Sequence, residues 1–223
     1  MAKSNFFSTF SKLGLTLTTI TAIGMATSHT ANAATLLSDN FNSENGGVGS
    51  LNYNAFTNWN VSGGTVDLIG NGSFDLFPGN GLYIDTDGST GNAGRITSKT
   101  AFTFNPGDVV DISFDLGGAR RRNQTNSVIV SLGSLFNETF TLPANEALTT
   151  IRRRINVATL TTANLAFEGV GGDNVGLILD NITLSRTTTS IPEPSAWLGV
   201  LALGALGTVS VSKRQLQKLK AKA

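Results

Sequence analysis

Carboxylates, arginines, lysines, tyrosines and hydroxyls are the side chains of this sequence that could form a chemically active site. There is no Cys, and the single His, His29, lies within the predicted signal peptide, residues 1–33, which export would remove. Ser-His-Asp hydrolysis, Cys-His peptidase chemistry, His-ligated zinc and thiol redox chemistry all need residue types that the rest of the sequence lacks. A site must therefore be sought among Asp, Glu, Arg, Lys and Tyr.

Four aspartates have a spacing that suits a calcium ion. Asp39 precedes an Asn near the start of the chain, and Asp180 precedes another near its end, so the two carboxylates would meet if their strands were neighbours. Asp85 and Asp87, in "DTDGST", form a second candidate calcium loop. Calcium takes six to eight oxygen ligands, many from the backbone. The same aspartates also fit ordinary turns, and both interpretations remain open.

Two arginine triplets are candidates for binding carboxylate or phosphate groups, since a guanidinium binds carboxylates bidentately. The first, in a predicted loop, and the second, in a predicted strand, would form one patch for acidic polysaccharide if they lay close together. Alternation along the strand places Arg153 on the face of Ile151 and Ile155. The alternative is an ordinary solvated surface. The candidate arginines are Arg120, Arg121, Arg122, Arg152 and Arg154.

Aromatic residues in or beside predicted loops are further candidates for binding a glycan. A flat ring can stack on a sugar, but it serves equally well in a sandwich core. The candidate ligand-binding rings are Tyr53, Trp59 and Tyr83, within a group that also contains Phe56, Phe74 and Phe77.

The elements that must position these side chains are short strands separated by Gly, Asn and Asp turns. In "VVDISFDL" (109–116), apolar and polar residues alternate, which predicts a strand with one buried face. Nine similar segments are "TVDLIG", "GLYIDT", "GRITS", "AFTF", "SVIVSLG", "ETFTL", "TTIRRRINV", "NLAFEGV" and "VGLILDNITLS". The pattern predicts an all-β fold, an antiparallel β-sandwich.

The N-terminus has the pattern of a secretory signal peptide, residues 1–33. Lys3 and Lys12 precede an apolar stretch, and Ala31 and Ala33 form a small-x-small cleavage site. Between residues 34 and 190 there are 14 acidic and 9 basic residues, a net charge of −5. An acidic body does not suggest nucleic-acid binding.

The C-terminus predicts a membrane span. Residues 195–212 carry no charge, and as a helix they would extend ~27 Å, enough for a bilayer core. The basic tail, residues 213–223, would stay on the cytoplasmic side. Its cations are Lys213, Arg214, Lys218, Lys220 and Lys222.

Pro192, Glu193 and Pro194, followed by this apolar run and basic terminus, resemble the PEP-CTERM sorting signal of many Gram-negative bacteria and cyanobacteria. The resemblance covers residues 192–223 and implies export by the secretion machinery. It also implies an intermediate anchored in the inner membrane, recognition of the triplet by an exosortase-type processing protein, and delivery to the cell surface or matrix. Residues 187–191 would be a flexible linker, and the two prolines of the triplet would hold that segment extended and accessible to a protease.

The body, residues 34–186, resembles the extracellular β-sandwiches of PEP-CTERM proteins and, more loosely, jelly-roll galactose-binding and carbohydrate-binding modules. The strings "SDNFNSENGG", "FPGNGLYIDTDGSTGNAG" and "GGDNVGLILDNITL" carry this resemblance. It implies a non-enzymatic surface or matrix protein that binds exopolysaccharide or another glycan, with a structural calcium ion. Two alternatives remain: a glycoside hydrolase with paired carboxylates, and a structural module without a ligand.

Overall fold

The computed structural model describes residues 32–72 and 74–188, which form two packed antiparallel sheets. Sheet A has the order β10-β7-β13-β4-β3, with β1 also paired to β13, and sheet B has the order β2-β5-β12-β8-β9. The strands of sheet A are β1 (Asn32–Asp39), β3 (Asp67–Gly70), β4 (Leu82–Asp85), β7 (Val109–Gly117), β10 (Thr149–Asn156) and β13 (Ile178–Thr188). Those of sheet B are β2 (Trp59–Ser62), β5 (Arg95–Ser98), β8 (Thr125–Leu132), β9 (Phe136–Pro143) and β12 (Leu165–Val170). A two-stranded ribbon, β6 (Phe102–Phe104) with β11 (Thr161–Ala163), and one 3₁₀ helix (Glu44–Gly47) complete the described part.

Strand β7 has the period of two that its sequence predicts. Val110, Ile112, Phe114 and Leu116 are fully buried, whereas the residues between them are half-buried on the outer face. The two sheets meet through edge-to-face ring contacts, and the Phe114 and Phe167 centroids lie 5.2 Å apart. Such contacts add to the burial of apolar area that drives the sheets together.

The all-β sandwich and all ten predicted strands are confirmed, with boundaries that shift by a few residues. The sequence did not predict β1, β2 or β11. Strand β1 begins inside the predicted signal peptide and is irregular, with a register shift between Thr35 and Leu37. The other two have only four and three residues.

Four connections that pass between the sheets meet at one end of the sandwich, which we call the loop end. They are residues 86–94 (β4–β5), 118–124 (β7–β8), 144–148 (β9–β10) and 171–177 (β12–β13). The register of β13 fixes this arrangement, because Ile178 pairs with both Asp85 and Gly117. Backbone hydrogen bonds then tie the loops together, including Arg120 N to Ala144 O at 2.8 Å and Thr86 N to Leu177 O at 3.1 Å.

The sandwich extends slightly beyond its predicted boundaries. Ala33 pairs with Thr187, and β13 continues to Thr188. The prediction of a linker from residue 187 is therefore wrong for its first two residues, whose backbone is held by β1. The remaining terminal predictions lie outside the described residues: Ala31, the triplet Pro192, Glu193 and Pro194, the membrane span, and the basic tail. Within residues 32–72 and 74–188, no helix is long and apolar enough to cross a membrane.

Candidate functional site at the loop end

The first arginine triplet is divided between the interior and the surface. Arg121 points inward and pairs with Asp85, whose side chain is fully buried. Arg120 and Arg122 are exposed, and both have left-handed backbone conformations, with φ of 53° and 49°. Non-glycine residues seldom adopt this conformation, and it costs about 1 kcal/mol or more at each position. The loop is thus held by Arg121 in a form that presents its two neighbours to solvent.

Asp85 is the buried anchor of this loop. Its Oδ1 accepts hydrogen bonds from the backbone N–H groups of Asp87 and Gly176, at 3.1 and 2.8 Å, and its Oδ2 accepts from Arg121. Burial raises the pKa of Asp85 to about 7, against the opposing effect of the Arg121 charge. A Cβ at Gly176 would lie 2.6 Å from Asp85 Oδ1, so only glycine allows this backbone to approach the carboxylate.

A second buried carboxylate, Asp67, lies directly opposite Asp85 on the paired strands β3 and β4. Its oxygens accept from Asn52 N at 2.7 Å and from Ser89 Oγ at 2.8 Å. Both carboxylates line a pocket of about 60 Å³, which has room for roughly two water molecules. Because a sugar ring does not fit and the carboxylates are held by protein donors, this pair does not provide the cleft that a glycoside hydrolase needs.

An open groove lies beside the arginines at the loop end. One part, of about 540 Å³, is lined by Arg120, Arg122, Asn123, Ala144 and Asn145. The adjoining part, of about 760 Å³, shares Asn123 and continues along Gln124, Thr125, Asn126, Pro143, Val170, Gly171, Gly172 and Asp173. The lining is rich in hydrogen-bond donors, since guanidinium and amide groups outnumber the one carboxylate.

Four side chains are linked along the groove. Asp173 Oδ2 accepts from Gln124 Nε2 at 2.7 Å and from Arg122 Nη1 at 3.3 Å, and Gln124 Nε2 also lies 3.2 Å from Asn126 Oδ1. Asn126 is 7% exposed, and its Nδ2 has no hydrogen-bond partner among the described residues. The linked groups therefore end in a buried donor that lacks an acceptor, which is a costly arrangement.

The Asp39–Asp180 pair lies at a different place, at the C-terminal end of strand β1. Strands β1 and β13 are neighbours, with Asp39 opposite Ile182, and a bulge follows Asp180. Burial raises the pKa of Asp180 to about 7, and the nearby carboxylates of Asp115 and Asp39 add to this effect. Asn181 donates its Nδ2 to Asp115 at 2.8 Å. A pocket of about 310 Å³ adjoins these groups.

This arrangement fits a hydrogen-bonded network better than a calcium site. Asp39 accepts from Phe41 N, Asn58 Nδ2 and Trp59 Nε1, each at 2.9 Å, so three N–H groups face the carboxylate where a cation would bind. At the other predicted site, the Arg121 guanidinium already supplies the positive charge beside Asp85, and Asp87 accepts from the backbone of Asp173. Within the described residues, no group of three or more acidic or histidine side chains is arranged to hold a metal ion. Calcium stays a prediction.

Most of the candidate rings belong to the core. Trp59 and Tyr83 are fully buried, so the prediction that they bind a ligand is wrong. The Tyr83 hydroxyl accepts from Leu76 N and Phe77 N and donates to Asp75. Tyr53 is half-buried, with its ring edge-to-face on Phe56 at 4.7 Å. Phe56 and Phe77 are buried as well. The exposed ring of the group is Phe74, 59% exposed, at the mouth of the pocket that contains Asp67 and Asp85.

The second arginine triplet does not join the first. Arg152 and Arg154 lie on the outer face of β10, opposite Ser113 and Asp111, and neither lines the groove. Arg154 pairs with Asp111 at 2.8 Å. The prediction of a single patch is therefore wrong. Arg153 shares the inner face, as its alternation predicted, and binds Glu138 of β9 through two hydrogen bonds of 2.7 and 2.6 Å, an ion pair that joins the edges of the two sheets.

The sequence-based interpretation missed the amide and carboxylate side of the groove. Asn123, Gln124 and Asn126 follow the arginines directly in "RRRNQTN", a polar run that could have been read as part of the same site. Asp173 and Asn145 come from other connections, and only the folded structure brings them to the groove.

No family model matches the sequence, and no match was found among curated proteins. Solved structures similar to this chain include the K3 adhesin domain of Lys-gingipain from Porphyromonas gingivalis (15% identity, TM-score 0.45, covering 69% of this chain and 99% of that one). Another is the CBM22-1 xylan-binding domain of Paenibacillus barcinonensis Xyn10C (13% identity, TM-score 0.42, covering 71% and 97%). A third is the CBM22-1 and GH10 modules of a Clostridium thermocellum xylanase in complex with xylohexaose (15% identity, TM-score 0.39), where the match covers 70% of this chain and 29% of that one. At these TM-scores, none of them identifies a ligand or activity for this chain.

Proposed function

We propose that this chain is an exported cell-surface or matrix protein whose β-sandwich binds a glycan in the loop-end groove. The observation that carries the proposal is the groove itself: an open surface lined by amide, guanidinium and carboxylate side chains that three different connections bring together. Glycans present rows of hydroxyl and ring oxygens, and side chains such as Asn, Gln and Arg offer matching donors in fixed geometry.

Rigidity of the loop end supports this proposal. The ion pair of Arg121 with the buried Asp85 and the hydrogen bond from Arg120 N to Ala144 O hold the arginine loop before any ligand arrives. A site that is already ordered loses less conformational entropy on binding. Phe74, exposed at the same end of the sandwich, adds a ring on which a sugar can stack.

A glycan array tests the binding proposal directly. The panel contains neutral and acidic bacterial polysaccharides and plant xylan, and it is probed with the wild-type chain and with Gln124→Ala. Gln124 is half-buried and contacts Asp173 and Asn126, so its truncation should weaken binding about tenfold while the fold remains. Absence of binding to every glycan by the wild-type chain would leave the ligand-free structural module as the better interpretation.

The export route is proposed from the sequence of the termini. We propose that the signal peptide directs secretion, that residues 195–212 hold the chain in the inner membrane, and that an exosortase-type protein processes it near Pro192–Pro194. Replacing Glu193 by Ala should then trap the full-length form in the membrane of the native host. Intact mass measurements on the wild type and on this variant test the step, and equal processing of the two would contradict the sorting-signal interpretation.

A further inference from the structure

The groove has more donors than acceptors, and its charge is opposite to that of the body around it. Arg120 and Arg122 contribute two positive charges and Asp173 one negative charge to the lining, in a body whose net charge is −5 between residues 34 and 190. A ligand for this surface must therefore supply acceptors and negative charge.

The guanidinium groups of the groove are free to receive such a ligand. Arg120 packs its guanidinium over the Phe77 ring, 4.2 Å from the centroid, and has no ion-pair partner within the described part of the chain. Arg122 makes one bond of 3.3 Å to Asp173, and both side chains of that pair are largely exposed. An exposed pair of this kind is weak, and four of the five Arg122 donors remain available.

Asn126 provides an independent indication of a missing acceptor. It is nine-tenths buried and lines the groove, yet its Nδ2 has no partner among the residues that the structure describes. An oxygen that reaches this amide would recover a hydrogen bond that the free protein lacks.

We infer that the groove selects an acidic polysaccharide, an inference that rests on the proposed glycan-binding function. The carboxylate of a uronic acid would lie between Arg120 and Arg122, and neighbouring hydroxyl oxygens of the sugar would accept hydrogen bonds from the side-chain amides of the groove. A planar carboxylate accepts two parallel N–H bonds from a guanidinium, which gives geometric selection as well as charge. On the outer face of sheet A, by contrast, the exposed Arg154 is already paired with Asp111.

Matched polymers and matched variants test the inference. The full chain in mild detergent is titrated by calorimetry with polygalacturonate, with its fully methyl-esterified neutral form, and with dextran sulfate. Arg120→Gln removes one unpaired guanidinium from the groove. Arg152→Gln is the control, because Arg152 is an exposed arginine on the outer face of β10 whose side chain likewise has no ion-pair partner within residues 32–72 and 74–188.

We expect polygalacturonate to bind the wild type at least tenfold more tightly than either of the other polymers. Arg120→Gln should lose about tenfold for polygalacturonate, and Arg152→Gln less than twofold. Asn126→Ala should also weaken binding, and its cost in stability should be small, because loss of the hydrogen bond from Gln124 Nε2 to Asn126 Oδ1 is offset by removal of a donor that is unsatisfied in the free protein.

The outcomes separate this inference from the proposed function. Equal binding of the charged and esterified polymers, with the same loss in Gln124→Ala, would overturn acid selection and leave glycan binding standing. Equal binding of dextran sulfate, or equal losses in Arg120→Gln and Arg152→Gln, would mean attraction by charge alone and would overturn the inference. No binding of any polymer would count against both proposals.

Discussion

Replacing Asp180 by Asn should stabilise the protein at alkaline pH and not at acidic pH. Burial raises the pKa of this carboxyl from its ordinary 3.8 to about 7. The folded state therefore binds this proton more tightly than the unfolded state does. Protonation of Asp180 thus stabilises the fold at acidic pH, and this stabilisation is lost as the pH rises through about 7. Asn has nearly the same shape and is neutral at every pH, so the variant escapes this loss.

The size of the effect follows from the pKa shift. A shift of about 3 units corresponds to at most about 4 kcal/mol, at 1.36 kcal/mol per unit. Asn181 donates to the ionised carboxylate, from its N at 2.7 Å and its Nδ2 at 3.3 Å, and the second of these bonds is lost with Asn. We therefore expect a net gain of about 2 kcal/mol above pH 8, or roughly 6 °C in melting temperature for a domain of this size.

Thermal unfolding followed by circular dichroism at pH 4, 6 and 8 measures the difference between Asp180→Asn and the wild type. Asp85, whose pKa is also raised, titrates in both proteins and cancels from the comparison. Asp111→Asn is the control, since this half-buried carboxylate pairs with the exposed Arg154 at the surface and should show little change at any pH. A gain in the Asp180 variant that is equal at pH 4 and pH 8, or a loss at pH 8, would refute the reasoning.

Three further predictions concern the other charged groups. Arg121→Ala should lower the free energy of unfolding by about 3 kcal/mol at pH 8, because it leaves Asp85 buried without its cation, and by much less at pH 5, where Asp85 is protonated. Urea unfolding at the two pH values measures this, and equal losses of stability would show that the ion pair is not the anchor of the loop. Glu138→Gln should lower the free energy of unfolding by only about 0.5 kcal/mol at pH 7, because solvent screens the ion pair with Arg153. That guanidinium lowers the pKa of Glu138, so the stability difference between variant and wild type should vanish in acid, and a difference that persists at pH 3 would contradict a role of this ion pair. Millimolar calcium should leave the melting temperature unchanged, because N–H donors already face Asp39. A rise that Asp39→Asn abolishes would instead support the calcium prediction.

Much of the fold could be predicted from the sequence because the strands are half-buried and their alternation is local. Val110 to Leu116 in β7 define one buried face without any knowledge of the partner strands. Strand β2 could not be found in this way, since its four residues lie in a turn-rich segment and Trp59 is fixed by a distant contact, its Nε1 donating to Asp39.

The site was less predictable, because its contacts are long-range. The triplet 120–122 was placed in a loop correctly, but nothing local indicates that Arg121 turns inward. Its partner, Asp85, precedes it by 36 positions, and the register of β13 brings the two strand ends together. For the same reason the sequence could not tell that Asp173 lies beside Gln124.

The most direct test of the central claim is an NMR titration of the ¹⁵N-labelled protein with the polysaccharide that the array identifies. A glycan bound in the groove should perturb amide and side-chain signals of residues 120–126, 143–145 and 170–173, with the Asn126 and Gln124 side-chain amides among the largest changes. Perturbations confined to the outer face of either sheet, or absent at saturating ligand, would contradict the assignment of the loop-end groove as the binding site.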